Sequence, residues 1–306
     1  MELAALHTIA GYLPVGDSDP GMDGEAVPCA EALEMAVARQ LAEQDSRRDL
    51  PMVHPDRHPS RIDWRAALRH FRQLESDKER THEAFHVFEA LPWIGMSETA
   101  CRFLSSAKGQ AIYASEPSLP EILDDHATLR RHPKGSLAHA YCDHMELERL
   151  SAAGLIEEFE EWRGGRPRID DKVEWYADRL RDTHDLLHVL SGYGRDALGE
   201  QCVLAMVFGQ RPSIGHLFVG YAGAMVTRLN TRWGAPVIRS VFEARRIGRA
   251  CLPIAEQAIL ELLPMPLETV RARLNMRTGR YYQEVRRIWR DEGVDPNQVL
   301  VKTAVA

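Results

Sequence analysis

The chain has 306 residues, of which 44% are hydrophobic and 27% are charged, and its formal net charge is −7. This composition is typical of a folded globular protein, and the acidic balance argues against a dedicated nucleic-acid binder, which usually presents a basic surface. The five cysteines form no CxxC pair, which argues against a zinc ribbon or a disulfide framework and indicates a reducing compartment. The longest apolar stretch, residues 214–226, is shorter than the roughly 20 residues that span a bilayer, so we expect no integral membrane segment.

Residues 1–60 differ in character from the rest of the chain. Acidic residues, glycines and prolines recur up to residue 28 and predict a flexible arm, followed by one helix pattern at 29–43 and a proline-rich linker at 46–60. No Lys or Arg precedes Arg39, so we expect neither a secretory signal nor a mitochondrial transit peptide.

From Ile62 onward the apolar residues recur at helical spacing, and strand signals are weak. No Pro/Gly/Ser-rich linker interrupts this region, which predicts a mainly α protein with one compact multi-helix domain over residues 61–306. Beyond two patterns near 64–71 and 85–91, the predicted helices cover 97–107, 118–131, 136–149, 151–162, 172–191, 197–209, 214–230, 236–250, 254–263, 266–274 and 279–291.

One predicted helix carries two histidines with the spacing of metal ligands. His184 and His188 are four residues apart, so both imidazoles project from one helix face, one turn from each other. We expect the helix to stop near Gly192 and a second helix to start near residue 195, with Glu200 in its first turns. An antiparallel return would bring Glu200 beside the two histidines, and this ligand set suits Zn²⁺ and non-haem Fe²⁺.

The acid beside the first histidine leaves several roles open. Asp185 can ligate the metal, orient a ligand or act as a base. The simpler alternative is a histidine pair satisfied by helix packing, with Glu200 in solvent.

This motif reads His-Asp-x-x-His, eleven residues, Glu, and it resembles the signature of a ubiquinone (coenzyme Q) biosynthesis family, the fourth of the numbered Coq series. Residues 129–141, 243–246 and 266–274 resemble further segments of that family, with Asp182 in the place of a Glu. The resemblance covers about residues 97–276. It does not extend to the first 60 residues, and the missing mitochondrial presequence points to a bacterial member.

The resemblance implies a divalent metal, usually zinc and with Fe²⁺ as an alternative, at the matched His184, Asp185, His188 and Glu200. It implies a step on a polyprenylated benzoate in which the C1 carboxyl is lost and replaced by hydroxyl. It also implies partnership with other ubiquinone biosynthesis proteins and a place in the bacterial cytoplasm, peripheral to the inner membrane. A homodimer is left open, and no nucleic-acid partner is expected.

Three functions are compatible with the sequence. The first is a metal-dependent decarboxylase acting on the benzoate, and the second is a non-catalytic lipid-binding scaffold with a structural metal. A His-Asp phosphohydrolase is the third, but the position of Glu200 favours the first two. A structural metal should be closed and four-coordinate, whereas a catalytic metal should keep an open position.

Two further features suggest where a substrate could bind. Gly220 and Gly223 lie among apolar residues in the 214–230 helix and can either leave room for a prenyl tail or allow close helix packing. Arg245 and Arg246 can bind a benzoate carboxylate or form a solvated face with Glu243.

A second His-Glu-x-x-His run lies upstream, at His82 and His86, with Glu98 again eleven residues later. It can indicate a protease-like zinc site, a second metal site or an internal repeat. The charged residues that precede it and the lack of any counterpart in the family favour a purely structural role, so we predict no metal there.

Overall fold

The apolar residues at helical spacing form the buried faces of helices that pack on one another. The computed structural model describes residues 50–58, 61–76, 80–231 and 234–296, which belong to one compact unit that spans 49–306. Among these residues there are helices and turns and no strand, apart from a single bridge between Ser136 and Pro266. The mainly α prediction is confirmed, whereas the predicted arm and the helix at 29–43 lie outside the described residues.

The helices follow one another with short connections. The first eight are α1 (Trp64–Ser76), α2 (Thr81–Ala90), α3 (Met96–Leu104), α4 (Ala107–Ser115), α5 (Pro120–Asp124), α6 (His126–Leu129), α7 (Leu137–Glu148) and α8 (Ala152–Arg163). The remainder are α9 (Lys172–Asp182), α10 (His184–Ser191), α11 (Ala197–Gln210), α12 (Ile214–Asn230), α13 (Val237–Ala250), a 3₁₀ turn (Ile254–Glu256), α14 (Ile259–Leu262), α15 (Leu267–Leu274) and α16 (Arg280–Asp291).

The helix predicted over 172–191 is two helices, and this prediction was wrong in one respect that matters for the site. Thr183 ends α9 and precedes α10, and its hydroxyl donates a hydrogen bond of 2.8 Å to the Arg179 carbonyl. A hydroxyl that bonds back to the preceding turn competes with the regular backbone ladder. His184 therefore begins a helix rather than lying inside one.

The largest core cluster of the described residues extends along the chain from Leu119 to Trp289 and includes much of α11. This helix packs along both α12 and α13. The approach to α13 is close, since a Cβ on Gly248 would lie 2.0 Å from the Met206 carbonyl oxygen. A side chain at this position would separate the two helices.

Residues 50–58, in the segment predicted to be a linker, contact the start of α9. The Arg57 guanidinium pairs with Asp171 at 2.7 Å and with Glu174 at 2.8 Å. The Pro51 carbonyl accepts a hydrogen bond from the Lys172 amide. This part of the chain thus packs on the helical unit.

None of the described helices combines the length and the apolar character that crossing a bilayer requires.

Candidate metal centre

Three side chains converge where α10 and α11 meet. One ligand atom from each of His184, His188 and Glu200 lies within 4.8 Å of the other two. Glu200 Oε2 is 3.7 Å from His184 Nε2 and 3.4 Å from His188 Nε2. The structure thus brings together the two histidines and Glu200, as the sequence predicts.

The local sequence explains why the chain returns at this point. Gly192 ends α10 with φ +70°, a left-handed conformation that glycine adopts without a Cβ penalty. Asp196 then caps α11, accepting a hydrogen bond from the Gly199 amide. Glu200 follows in the first turn of α11 and therefore faces back towards α10.

His188 is oriented for ligation. Its side chain is buried, and Nδ1 donates a hydrogen bond of 3.0 Å to the Tyr193 carbonyl oxygen. A carbonyl only accepts, so in the neutral ring Nε2 carries the free lone pair. Among the described residues Nε2 has no hydrogen-bond partner, although it is buried. A buried nitrogen in this state needs a partner, and a divalent cation between the three side chains would be one.

The electrostatics also favour a cation at this point. Burial lowers the pKa of His188, but the facing Glu200 carboxylate outweighs burial and raises that pKa above its ordinary value. Burial raises the pKa of Glu200, but the two histidines outweigh it and hold that pKa below its ordinary value. The group thus favours positive charge next to an ionised carboxylate.

Asp185 lies beside the group rather than in it. Its Oδ1 is 3.5 Å from His184 Nδ1, the ring nitrogen opposite the one that faces Glu200. Burial opposes ionisation of Asp185, but His184 and His188 outweigh burial and lower its pKa to about 2. Of the three roles left open by the sequence, this geometry fits best an acid that orients a ligand.

The group forms part of the wall of a large cavity. The cavity has a volume of about 1110 Å³, and His184, Asp185 and Glu200 are among its lining residues. Much of the remaining wall is apolar and comes from α2, α8, α11 and α12, through Phe85, Phe88, Leu155, Phe159, Leu204 and Val219. A cavity of this size and character suits a ligand with a long apolar portion.

The family model of coenzyme Q (ubiquinone) biosynthesis protein Coq4 matches residues 89–278, which include the whole metal-ligand motif. The chain belongs to the Coq4 family. Its role is therefore in ubiquinone biosynthesis, and the resemblance read from the motif is confirmed.

A solved structure agrees with the fold. A crystal structure of a candidate ubiquinone biosynthesis protein from Nostoc punctiforme matches with a TM-score of 0.51 and 19% identity, covering 70% of this chain and 98% of that chain. At this identity the likeness concerns the fold alone. No curated protein sequence matches the chain.

The other predicted substrate-binding residues of this Coq4-family chain lie elsewhere. Gly220 and Gly223 face α11, where a Cβ would lie 3.2 Å from the Gln201 carbonyl oxygen and 2.9 Å from its side-chain amide nitrogen, respectively. Neither glycine is among the cavity-lining residues, and the same holds for Arg245 and Arg246. The guanidinium of Arg245 lies 4.6 Å from the Phe208 ring centroid, and the Arg246 side chain is 69% exposed. Their role in substrate binding stays a prediction.

The upstream His-Glu-x-x-His run has contacts of another kind. Glu83 is buried and lies 2.6 Å from His70 Nδ1, and the ring of His86 stacks on that of His70. Trp162 donates a hydrogen bond to His86 Nδ1. Within the described ranges, His184, His188 and Glu200 are the only group of three or more metal-ligating side chains close enough to share an ion.

Four residues near the site were missed by sequence reasoning. The imidazole of His144, on α7, is nearly parallel to that of His188 at 5.8 Å, and His216, on α12, lines the cavity with its ring stacked on Phe88. No spacing pattern links either histidine to the motif. The other two are Tyr193, through its carbonyl, and Arg195, through its side chain. Both lie between His188 and Glu200 in the motif, and this position in the sequence could have identified them.

Proposed function

We propose that this Coq4-family chain catalyses the C1 oxidative decarboxylation of a polyprenylated hydroxybenzoate with a divalent metal ion at His184, His188 and Glu200. The observation that carries the proposal is the position of this group on the wall of an apolar cavity of about 1110 Å³. The step breaks the bond between C1 and the carboxyl, releases CO₂ and forms a C1–oxygen bond. With dioxygen as the oxidant, one oxygen atom goes to C1 and the other leaves as water, with two electrons and two protons from an external reductant.

The donor set fits the proposed ion. Two neutral imidazole nitrogens and one carboxylate suit both Zn²⁺ and Fe²⁺. When bound, the ion would supply a Lewis acid that gathers the phenolate or carboxylate of the ring, and Fe²⁺ would add redox chemistry that Zn²⁺ lacks.

Other residues of the chain position the metal ligands and hold the substrate. Asp185 acts as a positioning residue through His184 Nδ1, and the Tyr193 carbonyl does the same for His188 through Nδ1. The aromatic and aliphatic walls around Phe88 and Leu204 hold the isoprenoid tail and exclude water from the ring.

The exposure of the ligands favours an enzyme over a scaffold with a structural metal. Structural zinc sites are closed by four protein ligands. Here the described residues offer three, and the side chains of His184 and Glu200 are 31% and 33% exposed on the cavity side. This leaves space for a substrate oxygen beside the ion.

We infer that the chain works with other ubiquinone biosynthesis proteins at the surface of the inner membrane, because a polyprenylated substrate resides in the bilayer. Exposed apolar side chains on α12 and α13, namely Met225, Leu229 and Phe242, are available for such contacts.

The test is complementation of a bacterial host that lacks this protein. Wild-type chain should restore ubiquinone, whereas Glu200→Gln should leave a ring precursor that still carries its C1 carboxyl. The host with Glu121→Gln, a change at an exposed residue of α5, should match the wild type. A Glu200→Gln strain with normal ubiquinone would contradict the enzyme, and precursors blocked at many ring positions would favour the scaffold.

A further inference from the structure

Most arginines on the cavity wall are neutralised by the protein itself. Six of them have an oxygen of an acidic side chain within 3.3 Å, namely Arg57, Arg163, Arg166, Arg168, Arg181 and Arg211. Their charge is therefore largely satisfied without a ligand.

Two cavity-lining arginines, Arg149 and Arg195, have no acidic oxygen this close among the described residues, and of the two it is Arg195 that contacts a residue of the metal centre. Its Nε lies 3.8 Å from Glu200 Oε1, and no other acidic oxygen of the described residues lies within 4.0 Å of the guanidinium. The side chain lines the same cavity and is 30% exposed. At 3.8 Å this contact is longer than a hydrogen bond, and it involves the Glu200 oxygen that faces away from the two histidines. The N–H groups of the guanidinium therefore have room for an anionic ligand.

The backbone around Arg195 is held firmly. The Gly194 amide donates a hydrogen bond of 2.9 Å to the Tyr282 hydroxyl, which donates one of 2.6 Å to Asp196 Oδ2. Asp196 also pairs with Arg286 at 2.8 Å. Both neighbours of Arg195 are thus fixed to α16, so the backbone from which its side chain extends is held beside the metal centre.

We propose that Arg195 binds the carboxylate of the aromatic acid whose ring lies against the metal centre. The inference rests on the proposed function and deepens it, since it assigns the residue that selects an acid. A guanidinium matches a carboxylate with two parallel hydrogen bonds. With a divalent cation in place, the ion and Arg195 outweigh the negative charge of Glu200 and Asp185, so the site attracts an anion.

Binding of a matched pair of probes tests the inference. The probes are 3-geranyl-4-hydroxybenzoate and the corresponding benzamide, titrated calorimetrically into the full zinc-loaded chain in dioxygen-free buffer. Wild type should prefer the acid, and Arg195→Gln should weaken acid binding about 10–100-fold while amide binding and zinc content stay the same. Arg195→Lys should fall between them, because an ammonium keeps the charge but loses the planar fork.

Two further variants sharpen the comparison. Arg290→Gln, at an exposed arginine of α16 outside the cavity, should bind both probes like the wild type. Loss of acid preference in Arg246→Gln with an unchanged Arg195→Gln would overturn the inference. So would a wild-type chain that binds the acid no better than the amide, or that binds neither at millimolar concentration.

Release of CO₂ from the acid probe by the Fe²⁺-loaded chain, in the presence of dioxygen and a reductant, separates this inference from the proposed function. An Arg195-dependent acid preference without CO₂ release would sustain the inference and contradict the decarboxylase. Equal CO₂ release by wild type and Arg195→Gln would sustain the decarboxylase and contradict the inference.

Discussion

His188 Nε2 lies 3.4 Å from Glu200 Oε2, although a helix end and a capped turn separate the two residues. The contact exists because Gly192 ends α10 and Asp196 starts α11, so that the chain reverses between them. The distance between these two side chains therefore depends on how firmly the turn is held.

We predict that Tyr282→Phe loosens this turn and weakens metal binding. The hydroxyl of Tyr282 donates to Asp196 and accepts from the Gly194 amide, and both tyrosine and aspartate are buried. Its removal deletes a buried hydrogen bond to a carboxylate and leaves the partly buried Gly194 amide without this partner, which should lower the free energy of unfolding by about 1–3 kcal/mol. Urea unfolding gives the stability, and a competitive zinc titration gives the affinity.

Tyr281→Phe is the matched control for this prediction. Its hydroxyl contacts only Arg280 among the described residues, and Arg280 is exposed. We expect less than about 0.5 kcal/mol of change in stability for such a surface substitution. Equal effects of the two variants would show that α16 does not fix the turn.

Asp185→Asn should retain the fold but weaken metal binding about 10–100-fold, because an outer-sphere carboxylate orients its histidine and raises its basicity. The measurement is a cobalt titration that follows the absorption bands of the bound ion. Asp143→Asn, at an acid that is 70% exposed and pairs with Arg130, should leave the titration unchanged. If the Asp185→Asn chain bound cobalt with the affinity and the absorption spectrum of the wild type, Asp185 would have no positioning role.

Leu204→Trp should reduce the room for the tail, since Leu204 lines the cavity from α11. We expect binding of 3-geranyl-4-hydroxybenzoate to weaken at least about 10-fold, with unprenylated 4-hydroxybenzoate and zinc content unaffected. Leu147→Trp, at a leucine that is 79% exposed, is the control. Unchanged binding of the geranylated acid to Leu204→Trp would place the tail elsewhere.

Stability should also depend on pH through Glu75. Burial raises the pKa of this carboxyl from 4.5 to about 7, and its Oε2 has no hydrogen-bond partner within the described ranges. A raised pKa means that the folded chain binds the proton more tightly than the unfolded chain. The resulting stabilisation is fully present below pH 4.5 and is lost as the pH rises to about 7.

Glu75→Gln removes this dependence. The stability of the variant relative to wild type should increase by about 1–3 kcal/mol between pH 5 and pH 8, as measured by urea unfolding. The comparison should be repeated with Glu121→Gln, whose exposed carboxyl should show no such increase. A constant difference between Glu75→Gln and wild type across this range would contradict the burial of Glu75.

The metal centre could be predicted from the sequence because its determinants are local. Spacing of four residues sets the common face of His184 and His188, and Gly192 marks the reversal that returns Glu200. The helix boundary at Thr183 was missed because an apolar pattern can continue across a break that one hydroxyl creates.

The substrate cavity could not be predicted in the same way. Val219 and Gly220 are neighbours on α12, yet Val219 lines the cavity while Gly220 packs against α11. Consecutive helical residues point about 100° apart, and only long-range packing decides which direction meets a neighbouring helix. The same reason separates Arg195, on the cavity wall, from Arg245 and Arg246, which share no part of it.

The central claim is that His184, His188 and Glu200 hold one divalent cation, and elemental analysis of purified chain tests it most directly. We predict about one zinc or iron ion per wild-type chain, little in His184→Ala and Glu200→Gln, and wild-type content in His82→Ala, with the fold of each variant checked by circular dichroism. Folded His184→Ala and Glu200→Gln chains that retain the wild-type metal content would contradict the claim, as would a loss of metal confined to His82→Ala.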